Sequence, residues 1–432
     1  MSGKFEVPID IPNVRVESVE INRKGAFVIT LSSTEHGTEC HVCGRKLTKR
    51  CGHGRAVILR HLPILGRKTY LRIFPERYEC GQCKGKKGKP VTSTQRLSWY
   101  DPATGQTKAY EEHVLFALVN STVEDVSIKE DVGYKAVMGM IDRRIAGEVD
   151  WKRFDNLGVL GLDEIALKKG HNDFVSVVTA NVEGQLRILA VLADRKKETV
   201  KAFLSSIPKR LSRTIKAVCS DMYEGYINAA KEVFGEGIRV VVDRFHVAKL
   251  YRKSLDELRK KELRRLRKIL PAQEYKKLKG AMWILRKTKQ ALSEEELAVL
   301  ACLFKHSPDL ALAYELCYEL TDIFEQDIVK SRAKRKIQSW ITRVKKTGLR
   351  CFNTFLSTLS ERMEEITNYF HNRHTSGFIE GLNNKIKVLK RRCYGIHNIK
   401  HLFQRIHLDL AGYRLFARVS GDKPYLCYDA AR

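Results

Sequence analysis

The apolar positions change their period along the chain, and the changes mark its organisation. Near the amino terminus two short runs, Val57-Ile58-Leu59 and Tyr70-Leu71-Arg72-Ile73, predict strands of a small sheet. Residues 107–145 contain no proline and space their apolar positions helically, with Val114, Leu115, Leu118 and Val119 on one face. Ser121-Thr-Val-Glu124 is a capping-box pattern that starts a second, short helix. Val132-Gly133 supplies a turn whose glycine tolerates positive φ. A third helix then runs from Tyr134 to about Arg144. From Leu157 the pattern becomes that of strands: Leu157–Asp163, Phe174–Asn181 and Arg187–Ala193, joined closely enough to favour an antiparallel meander. A helix around Glu198–Leu204 ends near Pro208. A fourth strand (Ile215–Asp221), a helix (Tyr223–Phe234) and a fifth strand (Ile238–Asp243) complete the unit.

Three meander strands, then helix, strand, helix and strand, is the order of a ribonuclease-H-like core, a mixed five-stranded sheet. The stretch from Phe245 to about Tyr369 is almost wholly helical in pattern and reads as an insertion, about 247–370. The chain is therefore predicted to be an α+β multidomain protein. Residues 1–100 form an amino-terminal module and 101–150 a helix-turn-helix, since two helices meet at a tight turn containing glycine. Residues 151–412 form the sheet domain with its helical insertion, and 413–432 a carboxy-terminal tail.

Charge narrows the choice of partner. Lys and Arg number 79 against 50 Asp and Glu, a net +29, and the commonest polyanion for so basic a chain is nucleic acid. From Lys249 to Lys289 there are 16 Lys or Arg against 4 Asp or Glu; such an excess of one sign favours a DNA-facing insertion over a solvated helix pair. No apolar run is long enough to span a membrane, and the first residues lack the apolar stretch of a signal peptide, so a cytoplasmic location is expected.

Cysteine and carboxylate spacing supply the candidate chemistry. Cys40 and Cys43 form one C-x-x-C pair, Cys80 and Cys83 a second. Four thiolates suit a tetrahedral structural Zn²⁺, with Cys51 and His53 as competing ligands in the gap. Basic residues follow each knuckle: Arg45 and Lys46, then Lys84, Lys86 and Lys87. In the third helix of 107–145, Lys135, Arg143 and Arg144 are candidate DNA contacts. In the predicted sheet the first and fourth strands are neighbours, which brings Asp163 beside Asp221. Two carboxylates so close repel unless a cation lies between them, and Mg²⁺ prefers oxygen ligands. A third carboxylate is expected on a later helix. Glu380 opens one, followed by Lys385, Lys387, Lys390, Arg391 and Arg392, so metal binding would adjoin phosphate binding.

These segments together resemble the ISL-three family of bacterial insertion-sequence transposases. The resemblance rests on Cys40-His-Val-Cys43-Gly, Arg77-Tyr-Glu-Cys80-Gly-Gln-Cys83, Gly161-Leu-Asp163-Glu, Ser220-Asp221-Met and Asp243-Arg-Phe-His246-Val. It extends through Thr375-Ser-Gly-Phe-Ile-Glu380-Gly-Leu-Asn-Asn-Lys-Ile-Lys387 and Lys390-Arg-Arg-Cys-Tyr-Gly395. His41 stands where relatives often have Pro, and Ser376 where Asn is common; neither is a proposed ligand. The resemblance implies a zinc finger, a helix-turn-helix and a DDE catalytic domain with Asp163, Asp221 and Glu380 as its triad. It also implies phosphoryl transfer with two Mg²⁺ (or Mn²⁺) ions, structural zinc, and a homodimeric active complex. The DNA would be the element's terminal inverted repeats and the target duplex. The Asp243-x-x-His246 spacing is similar to a motif in other DDE transposases with helical insertions, including the hAT group, and suggests contact with DNA flanking the cut. The competing reading there is a helix cap by Asp243 with His246 packed in the first turn. Glu164 reads as a surface or supporting residue. A nuclease on the same fold and a silent DNA-binding regulator are the alternative functions.

Overall fold

The computed structural model describes residues 9–85, 88–167, 174–373 and 377–417, without the side chains of residues 377–380. Lys86, Lys87 and most of the expected carboxy-terminal tail, residues 418–432, therefore lie outside the described residues. The chain divides into two compact units. One holds the described residues up to Ile145 together with those from Ala411; the other spans Ala146–Leu410.

In the first unit the strands are β1 (Val14–Ile21), β2 (Phe27–Ser33), β3 (Thr38–Glu39), β4 (Lys46–Leu47), β5 (Arg50–His53), β6 (Val57–Ile64), β7 (Arg67–Ile73), β8 (Glu76–Lys84) and β9 (Pro90–Thr94). The two predicted strands are β6 and β7, but they join β1 and β2 in a four-stranded sheet of order β1-β2-β7-β6. Its core is Ile29, Leu31, Leu59, Leu71 and Ile73, closed by Leu97, Trp99 and Tyr100. The alternation of β1 slips by one residue at a bulge between Val16 and Ser18, which masks its two-residue period in the sequence. A separate three-stranded sheet, β5-β8-β9, carries the second cysteine pair.

Three helices follow: α1 (Lys108–Leu118), α2 (Val123–Glu130) and α3 (Tyr134–Arg144). Two details differ from expectation. The cap of α2 is Thr122, whose hydroxyl accepts from the Asp125 backbone N–H, one residue beyond the expected Ser121. The left-handed residue in the turn is Asp131 (φ 49°), whereas Gly133 takes an ordinary negative φ. Helix α2 runs for eight residues to Glu130, so Asp131 falls at its carboxy-terminal cap, where Asp tolerates the left-handed region.

The second unit is built on β10 (Val159–Ala166), β11 (Phe174–Val182), β12 (Gln185–Leu192), β13 (Ala217–Ser220) and β14 (Val240–Val242). They form one mixed sheet of order β12-β11-β10-β13-β14, with the first three antiparallel and β10, β13 and β14 parallel. Helices α4 (Lys197–Ser205), α5 (Lys209–Ser212) and α6 (Glu224–Phe234) connect the later strands. From β14 the chain enters α7 (Arg244–Ile269), then α8 (Ala272–Lys276), α9 (Ala281–Ile284), α10 (Glu294–His306), α11 (Pro308–Glu325), α12 (Lys330–Thr347), α13 (Asn353–Glu361), α14 (Met363–Thr367) and α15 (Tyr369–Asn372). Helices α16 (Gly377–Arg392) and α17 (Ile399–Phe416) return to the sheet. No helix among the described residues is long and apolar enough to cross a membrane.

The sheet is buried on both faces, and the two-residue period of β10 sends alternate side chains to each. Leu160 and Leu162 enter a large core with α4, α6 and the helical insertion. Ile165 points the other way, into a core with Leu382, Ile386 and Leu389 of α16 and Leu402, Phe403 and Ile406 of α17. Asp163 shares the Ile165 face, so it is turned towards α16.

Candidate active site

Parallel register brings the aspartates together. Leu162 pairs with Ser220, and Ser220 with Val242. Asp163, Asp221 and Asp243 each stand one residue past these pairs, at one level of three adjacent strands. Sequence reading expected Asp163 to end its strand. Instead β10 runs on to Ala166, because β11 continues to pair with it through Ala166–Phe174 after β13 has stopped. Asp163 is thus fixed by an antiparallel neighbour on one side while its other side opens towards Asp221.

Burial pushes both carboxyls up from the ordinary aspartate range, and the Asp163 charge raises Asp221 further. Backbone N–H donors hold each in place: Glu164 to Asp163 Oδ1 at 2.7 Å, Tyr223 to Asp221 Oδ1 at 2.8 Å. The His246 imidazole is near enough to pull both values down when charged. Its Nδ1 is buried with no hydrogen-bond partner. Asp243 caps α7, accepting from the Phe245 N–H at 3.0 Å, which is the capping geometry weighed against a DNA-contact role. Glu164 projects to the opposite face and pairs with Arg195 at 2.7 Å.

Asn383 is the residue that sequence reading passed over. Its Nδ2 donates to Asp163 Oδ2, its Oδ1 is buried without a partner, and its side chain is almost fully enclosed. The available signal was a polar residue beside Leu382 in the apolar stripe of α16. Glu380 belongs to the first turn of the same helix, three residues earlier; its side chain lies outside the described residues, as do His374, Thr375 and Ser376.

The basic residues of α16 divide by helical face. Lys385 donates to the Asp409 backbone carbonyl at 2.6 Å, Arg392 pairs with the buried Asp409 carboxylate at 2.9 Å, and Lys390 donates to the Ala166 carbonyl. These three spend donors on protein. Lys387 and Arg391, four residues apart, are exposed. In the first unit Lys135 is exposed, whereas Arg143 holds the buried Glu111 at 2.6 Å and Arg144 pairs with Glu112, both on α1.

The four predicted thiols converge. Cys40, Cys43, Cys80 and Cys83 bring their sulfurs within 4.8 Å of one another, and among the described residues no other His, Cys, Asp or Glu set does so. The strands β3 and β4 close the first knuckle: the Cys40 N–H donates to the Arg45 carbonyl at 2.8 Å, and Gly44 takes φ 72° in the turn. Backbone N–H groups of Cys43 and Val42 hold the Cys40 thiol down to about 6, and those of Gln82 and Cys83 lower Cys80. The adjacent Cys43 sulfur, with burial, pushes Cys83 up to about 12. Four thiolates cannot ionise together without a cation. A tetrahedral zinc with sulfurs at about 2.3 Å separates them by roughly 3.8 Å, and Cys43 and Cys80 lie 3.9 Å apart. Cys51 and His53 on β5 are exposed and outside the cluster.

The mixed sheet thus presents paired aspartates beside a basic helix, and the comparisons with known proteins give the family. The model of the ISL3 family of DDE enzymes, described as transposase, matches residues 160–406. The chain belongs to this family of transposases. It is 27% identical over 389 residues to the transposase for insertion sequence element IS1001 of Bordetella parapertussis, covering 89% of this chain and 91% of that one. It is 25% identical over 339 residues to the transposase for insertion sequence element IS1557 of Mycobacterium tuberculosis, covering 74% and 75%.

Proposed function

We propose that this transposase cuts and joins DNA at the ends of its element with divalent ions held by Asp163, Asp221 and Glu380. The observation that carries the reading is the hydrogen bond from Asn383 to Asp163. It ties α16 to the paired aspartates at a position one helical turn from Glu380, on the same face. The strand order β12-β11-β10-β13-β14 supports a ribonuclease-H-like core.

The donor set fits a hard cation: carboxylate oxygens that repel each other, an unpartnered amide oxygen on Asn383, and no thiolate. Mg²⁺ bound there supplies water activation and charge neutralisation at the scissile phosphate. The chain's own residues do the rest. Asp163 and Asp221 are pre-set by backbone N–H donors, and Asn383 fixes the second oxygen of Asp163. Lys387 and Arg391 face solvent along α16, where they hold the DNA backbone. Water adds to phosphorus as the P–O3′ bond breaks, leaving a 3′-hydroxyl. That hydroxyl then attacks a target phosphodiester, whose own 3′-oxygen leaves. Structural zinc in the Cys40/Cys43/Cys80/Cys83 cluster shapes the amino-terminal module. Helices α1 to α3 act as a helix-turn-helix for end recognition, with Lys135 towards DNA and with Arg143 and Arg144 fixing α3 on α1. The active complex is a homodimer on two element ends.

The test is direct. DNA carrying the terminal inverted repeats that flank the gene, incubated with the full chain and Mg²⁺, is nicked at the repeat boundary; uniform nicking of unrelated DNA would point instead to a nuclease.

His246 acts on flanking DNA through its placement near both aspartates, and Asp243 serves as the α7 cap. His246→Ala is expected to slow cleavage about tenfold, a loss near 1.4 kcal/mol of transition-state stabilisation, while leaving the melting temperature within a degree or so. A variant that melts early yet cuts normally per folded molecule would make His246 a packing residue only.

A further inference from the structure

The helical insertion turns one indole outward. Residues 275–293 contain Lys276, Lys277, Lys279, Arg286, Lys287 and Lys289 and no Asp or Glu. Lys287 and Lys289 are paired with Glu296 and Glu315; the other four form no ion pair among the described residues. Leu278, Ala281, Ile284 and Leu285 are buried and anchor the segment, and Gly280 (φ 88°) makes its turn. In their midst Trp283 is 63% exposed. The Arg286 guanidinium lies 5.5 Å from its ring centroid. Beside the ring opens a cavity of 560 Å³, lined among others by Arg259, Leu263, Tyr275, Lys276 and Lys279.

The segment buries four aliphatic side chains and leaves its indole facing water at the mouth of the cavity. A flat aromatic face with Arg286 over the ring and the unpaired Lys276 and Lys279 in the adjoining cavity lining matches a base and its flanking phosphates. Inside a duplex the bases stack on each other, so an unpaired nucleotide is the one most free to lie on the ring. The cavity lining offers cations and apolar walls, a chemistry that tolerates any base.

We propose that Trp283 and the adjoining cavity hold an unpaired nucleotide of the DNA substrate, with the base on the indole and its phosphates on Lys276, Lys277 and Lys279. The proposal rests on the DNA reading above and is independent of the carboxylate chemistry. It concerns a second DNA site, within the insertion.

The experiment uses the full zinc-loaded chain with EDTA-free buffer lacking Mg²⁺, and two duplexes of identical paired sequence, one blunt and one with a thymidine overhang. Trp99 and Trp340 are buried and Trp151 is half-buried, so Trp283 dominates any quenching by a stacked base. The overhang duplex should bind about tenfold more tightly than the blunt one and quench the fluorescence. Trp283→Ala should abolish both the preference and the quenching while leaving blunt-duplex affinity and melting temperature unchanged. Trp283→Phe should keep part of the preference, since a smaller ring still stacks. Equal losses for both duplexes in Trp283→Ala, or no loss for either, would overturn the proposal. A chain that binds neither duplex overturns it together with the DNA reading. A chain that discriminates through Trp283 but never cleaves keeps this site and loses the catalytic one.

Discussion

Asp163→Asn and Asp221→Asn are each expected to lower the rate of end cleavage by at least about a thousandfold, because metal assistance is worth several kcal/mol and each 1.4 kcal/mol is a factor of ten. Glu380→Gln should do the same. Binding to element ends should persist, since the proposed reading residues belong to the other unit. The two Asp variants should also reveal the strain of the site. In the metal-free protein both carboxyls have raised values, so the folded state holds their protons more tightly than the unfolded chain does. Their charged forms therefore cost stability, and that cost grows as pH rises from the ordinary aspartate range to the raised values. Above that window Asp221→Asn should melt at a higher temperature than the metal-free wild type. Mg²⁺ should raise the wild-type melting temperature and leave that of Asp221→Asn unmoved. Cleavage at the wild-type rate by any one variant would remove that residue from the site. A fall in melting temperature would mean that the carboxylate is structural.

Loss of zinc should be the largest change in stability. The strands β3 and β4 are two residues each and cannot hold the knuckle by pairing alone. The small core there consists of Cys40, Leu47, Tyr78 and Cys80, with Cys83 and Val91 against it, so the ligands are themselves the core. Structural zinc contributes about 10–16 kcal/mol in small modules, against about 5–15 kcal/mol for the net stability of a whole domain. Cys40→Ser or Cys83→Ser should therefore release the metal and unfold the knuckle region around β3, β4, β5, β8 and β9. The sheet β1-β2-β7-β6 has a separate aliphatic core and should survive. Limited proteolysis should then cut within 38–56 and 76–94 and spare 57–73. Elemental analysis that finds no zinc in the wild-type chain would remove the premise, and protection of 76–94 in the Cys variants would make the cluster dispensable.

Much of the second unit was legible because its strands are buried on both faces and read as continuous apolar runs. The five runs between Leu157 and Asp243 each correspond to a strand, and the closeness of Asp163 to Asp221 followed from strand order alone. What was not legible depends on faces and partners. Helix α16 shows an unbroken basic character in sequence, yet Lys385 and Arg392, seven residues apart, turn towards Asp409, whereas Lys387 and Arg391 turn outward. Arg143 and Arg144 likewise meet Glu111 and Glu112, about thirty residues away, and no local pattern announces such pairs. Asn383 escaped because its role arises only when α16 meets β10, across the whole helical insertion. The extension of β10 past Asp163 escaped because Asp163 and Glu164, two charged residues in succession, interrupt the apolar run there.

The central claim is that carboxylate-held metal lets one site cut DNA and join the freed 3′-hydroxyl to a target. Strand transfer of a pre-cut, end-labelled element terminus into a plasmid measures it most directly, run on a denaturing gel with Mg²⁺ and with EDTA. The account predicts joint DNA molecules with Mg²⁺, none with EDTA, none from Asp221→Asn, and no label attached to protein. Label that migrates as a covalent protein–DNA adduct, or joining that proceeds undiminished in EDTA, would contradict it.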